Sequence, residues 1–275
     1  MSNAAIIVEG GHDASFLGQI LKTRGFKAVN GLDAVPGAWD IMFPRRYPVD
    51  GNSLDRVIRF PEIYIRDELV VGIVTAGSDS RLVSTLRATI DAVGSSNLSL
   101  VALFVDIDNN SPNGRFSELT NALSAMNSAA IEEKAPGYPI AVPQSAGIIE
   151  EGAPKSGIYM FPNNLENGSL ETVLLECAKV HHADITHASI KLIDDIDASA
   201  EPGRQDLKLL RSGMGMLKAK ASIVANILKP ATSLAASLAQ STWLHGDALN
   251  QPYATRTIEF VDMILESISP LATEN

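Results

Sequence analysis

Cysteine is almost missing from this chain: Cys177 stands alone among 275 residues. One thiol forms no internal disulfide, so the fold must hold without covalent staples, which fits a reducing cytoplasm. Long apolar runs are missing too. None reaches the roughly 18 residues of a membrane span, and the longest, Leu69 to Val74, is interrupted by Gly72. The N-terminus has neither the basic start nor the long apolar stretch of a signal peptide. Positive charge is in short supply: 22 Lys and Arg face 32 Asp and Glu, a net charge of -10. That balance argues against a protein held to nucleic acid by bulk electrostatics. It leaves room for a local, metal-assisted phosphate site. Neither a Walker motif nor a Gly-x-Gly-x-x-Gly fingerprint occurs, and there is no internal repeat, low-complexity tract or block of like charge.

What is present is ordinary globular composition, with 45% hydrophobic and 20% charged residues. Such values exclude wholesale disorder and fibrous structure. A chain of this length buries on the order of 75% of its unfolded surface, enough for one large domain or two small ones.

The first half alternates short apolar runs with longer amphipathic ones. Strands are expected at Ala4–Val8, Leu69–Val74, Ser99–Val105 and Gly157–Phe161, with two short edge segments at Val57–Phe60 and Ile63–Ile65. Helices are expected at Asp13–Lys22, with Asp13 as N-cap, then at Asp79–Val93 and Phe116–Ile131. Asn110–Gly114 and Pro136–Gly152 read as loops. This alternation predicts an α/β fold with a mostly parallel sheet and helices on both faces. From Ser169 onward the patterns are helical: Leu170–His181, Ile185–Ile196, Leu207–Leu210, Met216–Leu228, Leu234–Ala239 and Thr257–Ile268. The expected division is an α/β domain over 1–168 and a helical C-terminal region over 169–275, packed on the same core or forming a cap.

Two strands run directly into acids. Ile6-Ile7-Val8 leads to Glu9-Gly10-Gly11-His12-Asp13, and Leu103-Phe104-Val105 leads to Asp106-Ile107-Asp108. Ligands of parallel sheets bind at the carboxyl ends of strands. On extended backbone Asp106 and Asp108 share a face. Glu9 and Asp13 converge across a strand-to-helix turn that Gly10 and Gly11 keep tight. If the strands are neighbours, four carboxylates meet and repel unless a cation neutralises them. Oxygen-only ligands suit Mg²⁺ or Mn²⁺. Read singly, an acid after a strand is equally a helix cap.

The joint pattern, strand-Glu-Gly-x-x-Asp-helix followed by strand-Asp-x-Asp, resembles the Toprim domain of topoisomerases, bacterial primases and the overcoming-lysogenisation-defect nucleases. Gly157 to Asn164, then Gly168-Ser169-Leu170-Glu171, is similar to a prokaryotic family of stand-alone Toprim-related proteins in which a lysine-bearing helix follows. Lys218 and Lys220 fall in that place. The resemblance implies a Toprim-like fold and Mg²⁺- or Mn²⁺-dependent phosphodiester chemistry on DNA or RNA. Glu9 is then ligand or general acid/base. Asp13, Asp106, Asp108 and Glu171 are ligands, and Lys218 or Lys220 stabilises charge on the phosphate. Asn163 stands where some relatives carry Asp, which puts a second cation in doubt.

Other features have plainer readings. His181-His182 and His187 lack partners of zinc-site type and read as a solvated helix face. Arg45-Arg46 reads as surface charge, and Gly213 to Gly215 as a helix break. Two rival functions remain. One is a catalytically degenerate module that binds nucleotide, a protein partner or a second copy of the chain. The other is a haloacid-dehalogenase-type phosphatase with Asp106 as nucleophile, whose second motif has only Gly246-Asp247 as candidate.

Overall fold

The computed structural model describes residues 1–43, 60–240 and 243–269. Arg45-Arg46 and most of the segment Val57–Phe60 lie outside the described residues. The element order is β1 (Ser2–Val8), α1 (Gly11–Thr23), β2 (Lys27–Ala28), β3 (Glu62–Arg66), β4 (Leu69–Thr75), α2 (Leu82–Val93), β5 (Leu98–Asp106), α3 (Pro112–Glu132), β6 (Ile149–Glu150), β7 (Lys155–Phe161), α4 (Leu170–His181), α5 (Ala183–Ser199), α6 (Gly215–Leu228), α7 (Leu234–Ala239) and α8 (Pro252–Ile268). One seven-stranded sheet has the order β2-β3-β4-β1-β5-β7-β6. Its four central strands, β4, β1, β5 and β7, are parallel. Antiparallel pairs flank them on both sides, β3 on β4 and β6 on β7.

The central strands are nearly continuous apolar runs because both faces are covered. Side chains alternate between two cores. Ile6, Val8, Phe104, Tyr159 and Phe161 face a cluster that includes Phe16 of α1, Leu174 of α4 and Phe260 of α8. Ile7, Val101, Leu103, Val105 and Met160 face the other, which includes Leu86 and Ile90 of α2 and Leu119 and Leu123 of α3. The C-terminal helices α4, α6, α7 and α8 therefore cover one face of the sheet and share its core with α1.

Several local expectations change. The helix expected from Asp13 begins at Gly11, with Gly10 as N-cap, and Asp13 is its third residue. The helix expected from Phe116 begins at Pro112, because Ser111 caps it by accepting a hydrogen bond from the Gly114 N–H and proline at the first position needs no donor. The helix expected at Leu207–Leu210 is not formed beyond a short 3₁₀ turn at Gln205–Leu207. Leu209 is 81% exposed, so that stretch buries no apolar face to stabilise a helix. The Pro136–Gly152 stretch supplies the two-residue edge strand β6. Among the described residues no helix is long and apolar enough to cross a membrane.

Candidate active site at the strand ends

β1 and β5 are adjacent and parallel, with Val8 opposite Phe104. The chain leaves β1 for α1 on one face of the sheet and leaves β5 for α3 on the other. The crevice between these strand ends is therefore the switch point where doubly wound sheets bind ligands. Glu9 and Asp106 meet in it: Glu9 Oε1 accepts a hydrogen bond from the Asp106 backbone N–H at 3.1 Å.

The other acids arrive from two helices. Asp13 is buried on the first turn of α1, where its Oδ2 accepts from the Gly10 N–H at 2.7 Å. Glu171, also buried, is on the first turn of α4 and accepts from Ser169 Oγ at 2.7 Å. His12 Nδ1 stands 3.8 Å from its other oxygen. The same turn holds Asp106, whose Oδ1 accepts from the Leu170 N–H at 2.8 Å. Burial pushes the Asp106 carboxyl well above the usual range, and the charges of Asp13, Glu171 and Glu9 push it further. Burial, followed by the charges of Glu9 and Glu171, raises Asp13 to about 7 despite its bond to Gly10. Glu9 is raised by burial, a rise that the Asp106 N–H and Arg115 offset only in part. Glu171 is also pushed up by burial, but His12, Ser169 and Lys218 outweigh it and leave its carboxyl below the usual range.

Asp108 does not share a strand face with Asp106. The strand ends at Asp106, and Asp108 turns into left-handed backbone with φ 56°. Its N–H and C=O instead pair with Gly168 at 2.7 and 3.0 Å, which locks the β5 end to the start of α4. Its half-buried carboxyl is raised by burial and lowered by Lys218 and Arg115. Lys218, on the first turn of α6, is held charged by Glu171, Asp106, Asp108 and Glu9 against its partial burial. Lys220 is not brought to the acids: it is paired with Asp194 of α5 at 2.7 Å. Asn163 is occupied by its own turn, accepting from the Leu165 and Glu166 N–H groups at 3.1 and 3.0 Å.

Arg115 was not foreseen. Its guanidinium is 5% exposed, and its Nε donates to the Asp106 carbonyl at 3.2 Å. It also pairs with Asp79 and Glu118 and lies 3.7 Å from Glu9. The only advance signal was an arginine on the first turn of a Ser-Pro-capped helix just after the Asp-x-Asp strand. His181 stacks on His245 with ring centroids 4.6 Å apart, and buried His182 Nε2 has no hydrogen-bond partner among the described residues.

The donor set suits a hard cation: carboxylate oxygens, crowded enough to repel. Asp106, Glu9 and Asp13 each spend one oxygen on a backbone N–H. The second oxygen of each has no protein donor among the described residues. Among those residues, no three Asp, Glu, His or Cys side chains already stand together as a ligand set.

Comparison with known proteins begins with a family match. The family described as protein of unknown function DUF3226 matches residues 3–209. The chain belongs to this family. The matched stretch contains Glu9, Asp13, Asp106, Asp108, Arg115 and Glu171, and Lys218 follows it. A search of curated proteins returns no match. Among solved structures, the chain is similar to hypothetical protein PH0156 from Pyrococcus horikoshii OT3, with 18% identity over 97% of this chain and 98% of that one and a TM-score of 0.52. That likeness supports the fold of this DUF3226 member.

Proposed function

We propose that the crevice at the ends of β1 and β5 carries Mg²⁺- or Mn²⁺-dependent phosphodiester cleavage in DNA or RNA, in the manner of a Toprim nuclease. The observation that carries this reading is the gathering of Glu9, Asp13 and Glu171 around Asp106 from separate elements, with Lys218 beside Glu171, Asp106 and Glu9, at the ligand-binding edge of the sheet. A bound divalent cation supplies phosphate polarisation and an activated water. Glu9, Asp13 and Asp106 would hold it through the oxygens not spent on amides, with Asp108 and Glu171 beside them.

The chain's own groups do the rest. The Leu170 and Asp106 N–H groups fix Asp106 and Glu9 before substrate arrives. Lys218 stands where charge develops on a phosphate oxygen. Glu9, whose carboxyl burial raises above its ordinary value, would serve either as a ligand or as the group that exchanges a proton with the attacking or leaving oxygen. A groove of about 450 Å³ beside Asp108 and Lys218 admits the substrate backbone. This reading places the protein in the cytoplasm, as one chain or a homo-oligomer.

One observation favours a second reading, a catalytically degenerate module that binds nucleotide or a protein partner. Arg115 and Lys218 already neutralise part of the acidic charge from within the chain. The phosphatase reading gains nothing comparable, since Gly246-Asp247 opens a short 3₁₀ turn rather than following a strand.

The test is cleavage of labelled DNA and RNA with Mn²⁺ or Mg²⁺. Glu9→Gln keeps the shape, removes the charge and should abolish cleavage in a folded protein. Equal activity in both proteins, or none from the wild type across metals and substrates, moves the assignment to the binding module.

A further inference from the structure

A second cavity opens at the carboxyl end of β4, one strand over from Glu9. It encloses about 460 Å³ between β4, the following loop and α2, within the range of small-molecule sites. Its wall is apolar at Met42, Val74 and Ala88, and polar at Thr75, Arg81 and Thr85. In a chain of net charge -10, no carboxylate among the described residues lines it. The Thr75 and Thr85 hydroxyls have no hydrogen-bond partner among the described residues.

Arg81 is the feature that points to a ligand. Every other described arginine has a partner for its side chain: Arg24 with Asp262, Arg66 with the Arg24 carbonyl, Arg87 with Glu133, Arg115 with Asp79, Arg204 with Asp206, Arg211 with Asp197 and Arg256 with Glu259. Arg81 alone has none among the described residues. The nearest acid in sequence, Asp79, is committed to Arg115. A free guanidinium beside hydroxyls open to the cavity and an apolar wall suits a ligand that is anionic at one end and flat and weakly polar at the other.

The cavity is coupled to the acidic crevice. The Ala76 and Gly77 N–H groups donate to the Val8 and Glu9 carbonyls at 2.8 and 2.9 Å, so the cavity floor and the Glu9 backbone form one unit. We infer that this cavity binds a nucleoside monophosphate group, its phosphate on Arg81 and its nucleoside against Met42, Val74 and Ala88. Free nucleotide and the 5′-phosphorylated end of a strand share this chemistry. The inference rests on the phosphodiesterase reading for its use, since the bound nucleotide would be the neighbour of the one that is cut. It does not rest on that reading for its binding.

The experiment is calorimetric titration of the full chain in EDTA with AMP, adenosine and inorganic phosphate, on wild type, Arg81→Met, Thr85→Val and Glu9→Gln. AMP should bind, with adenosine and phosphate each weaker. Arg81→Met should lose at least about ten-fold in AMP affinity, the worth of one charge-assisted contact. Arg81 is exposed and unpaired, so an unchanged melting temperature should show the variant folded. Glu9→Gln should bind AMP like wild type. Competition by a 5′-phosphorylated oligonucleotide but not its 5′-hydroxyl form assigns the site to strand ends; AMP binding without competition by either assigns it to free nucleotide. No AMP binding by wild type, or Arg81→Met binding AMP as well as wild type does, overturns the inference whether or not the protein cleaves nucleic acid. A wild type that binds AMP but cleaves nothing overturns only the phosphodiesterase reading.

Discussion

Raising the pH of metal-free protein should cost it stability, and Asp13 sets much of the cost. Its carboxyl moves from an ordinary 3.8 to about 7 in the fold, chiefly through burial and then through Glu9 and Glu171. A raised carboxyl is more protonated in the folded chain than in the unfolded one. Its stabilising contribution is therefore complete below pH 3.8 and disappears as the pH rises through 7. Between pH 5 and pH 8 this titration, shared with the neighbouring acids, accounts for a loss on the order of 2–3 kcal/mol. For a chain of 275 residues that corresponds to roughly 4 °C in melting temperature. Asp13→Asn keeps an oxygen for the Gly10 N–H and removes the titration. In EDTA the variant's advantage over wild type should be larger at pH 8 than at pH 5 by about that amount, and the two should converge only below pH 3.8. Urea unfolding followed by circular dichroism at both pH values reads the difference directly. A variant no more stable than wild type at pH 8, or a wild type whose stability is flat over this range, refutes the claim that Asp13 is held against its charge.

Other outcomes follow from the same geometry. Mg²⁺ or Mn²⁺ should raise the wild-type melting temperature at pH 8 through mass action, and Asp106→Ala should erase most of the increment in differential scanning fluorimetry. A full metal shift in that variant places the main cation site elsewhere. Arg115→Met should cost about 1–3 kcal/mol in chemical denaturation, because it leaves the buried Asp106 carbonyl without its donor while half-exposed Asp79 turns to water; a loss under about 0.5 kcal/mol, typical of a surface charge, rejects that role. Gly72→Ala should cost about 1–3 kcal/mol, since an added methyl meets the ring of the buried Trp39. A neutral result there shows that the ring yields.

The sheet was legible because its central strands are unbroken apolar runs whose two faces both need cover. Ile6 and Ile7 already demand burial on opposite sides. The adjacency of β1 and β5 followed from their matching acidic ends. What failed to show was anything decided by one or two residues. β2 and β6 are two residues long and carry no period. The residue pattern makes Asp13 the cap of its helix, whereas the helix starts two residues earlier at Gly11 and the same carboxylate turns back onto the Gly10 N–H. Asp108 was placed by strand periodicity, which ends where its backbone turns left-handed. The sequence does not single out Arg115, because burial of a guanidinium depends on partners distant in sequence, here Asp79 and the end of β5.

The boundary expected after residue 168 runs through the site rather than beside it. Asp106 belongs to the strand that precedes this point, and the N–H that fixes it belongs to Leu170 just after it. Asp108 is joined to Gly168 by two backbone hydrogen bonds across the same junction. Glu171, whose charge acts on Asp13 and Asp106, and Lys218, whose charge acts on Glu171, Asp106, Asp108 and Glu9, both come from the helical part. The same helices supply Leu174 and Phe260 to the core that covers Phe104 and Tyr159. The helical region is thus a wall of both the core and the crevice, and its first turn presents the amide that aims Asp106. A site assembled in this way exists only when the two halves are folded together, so its chemistry and the packing of α4 against the sheet rise and fall as one property.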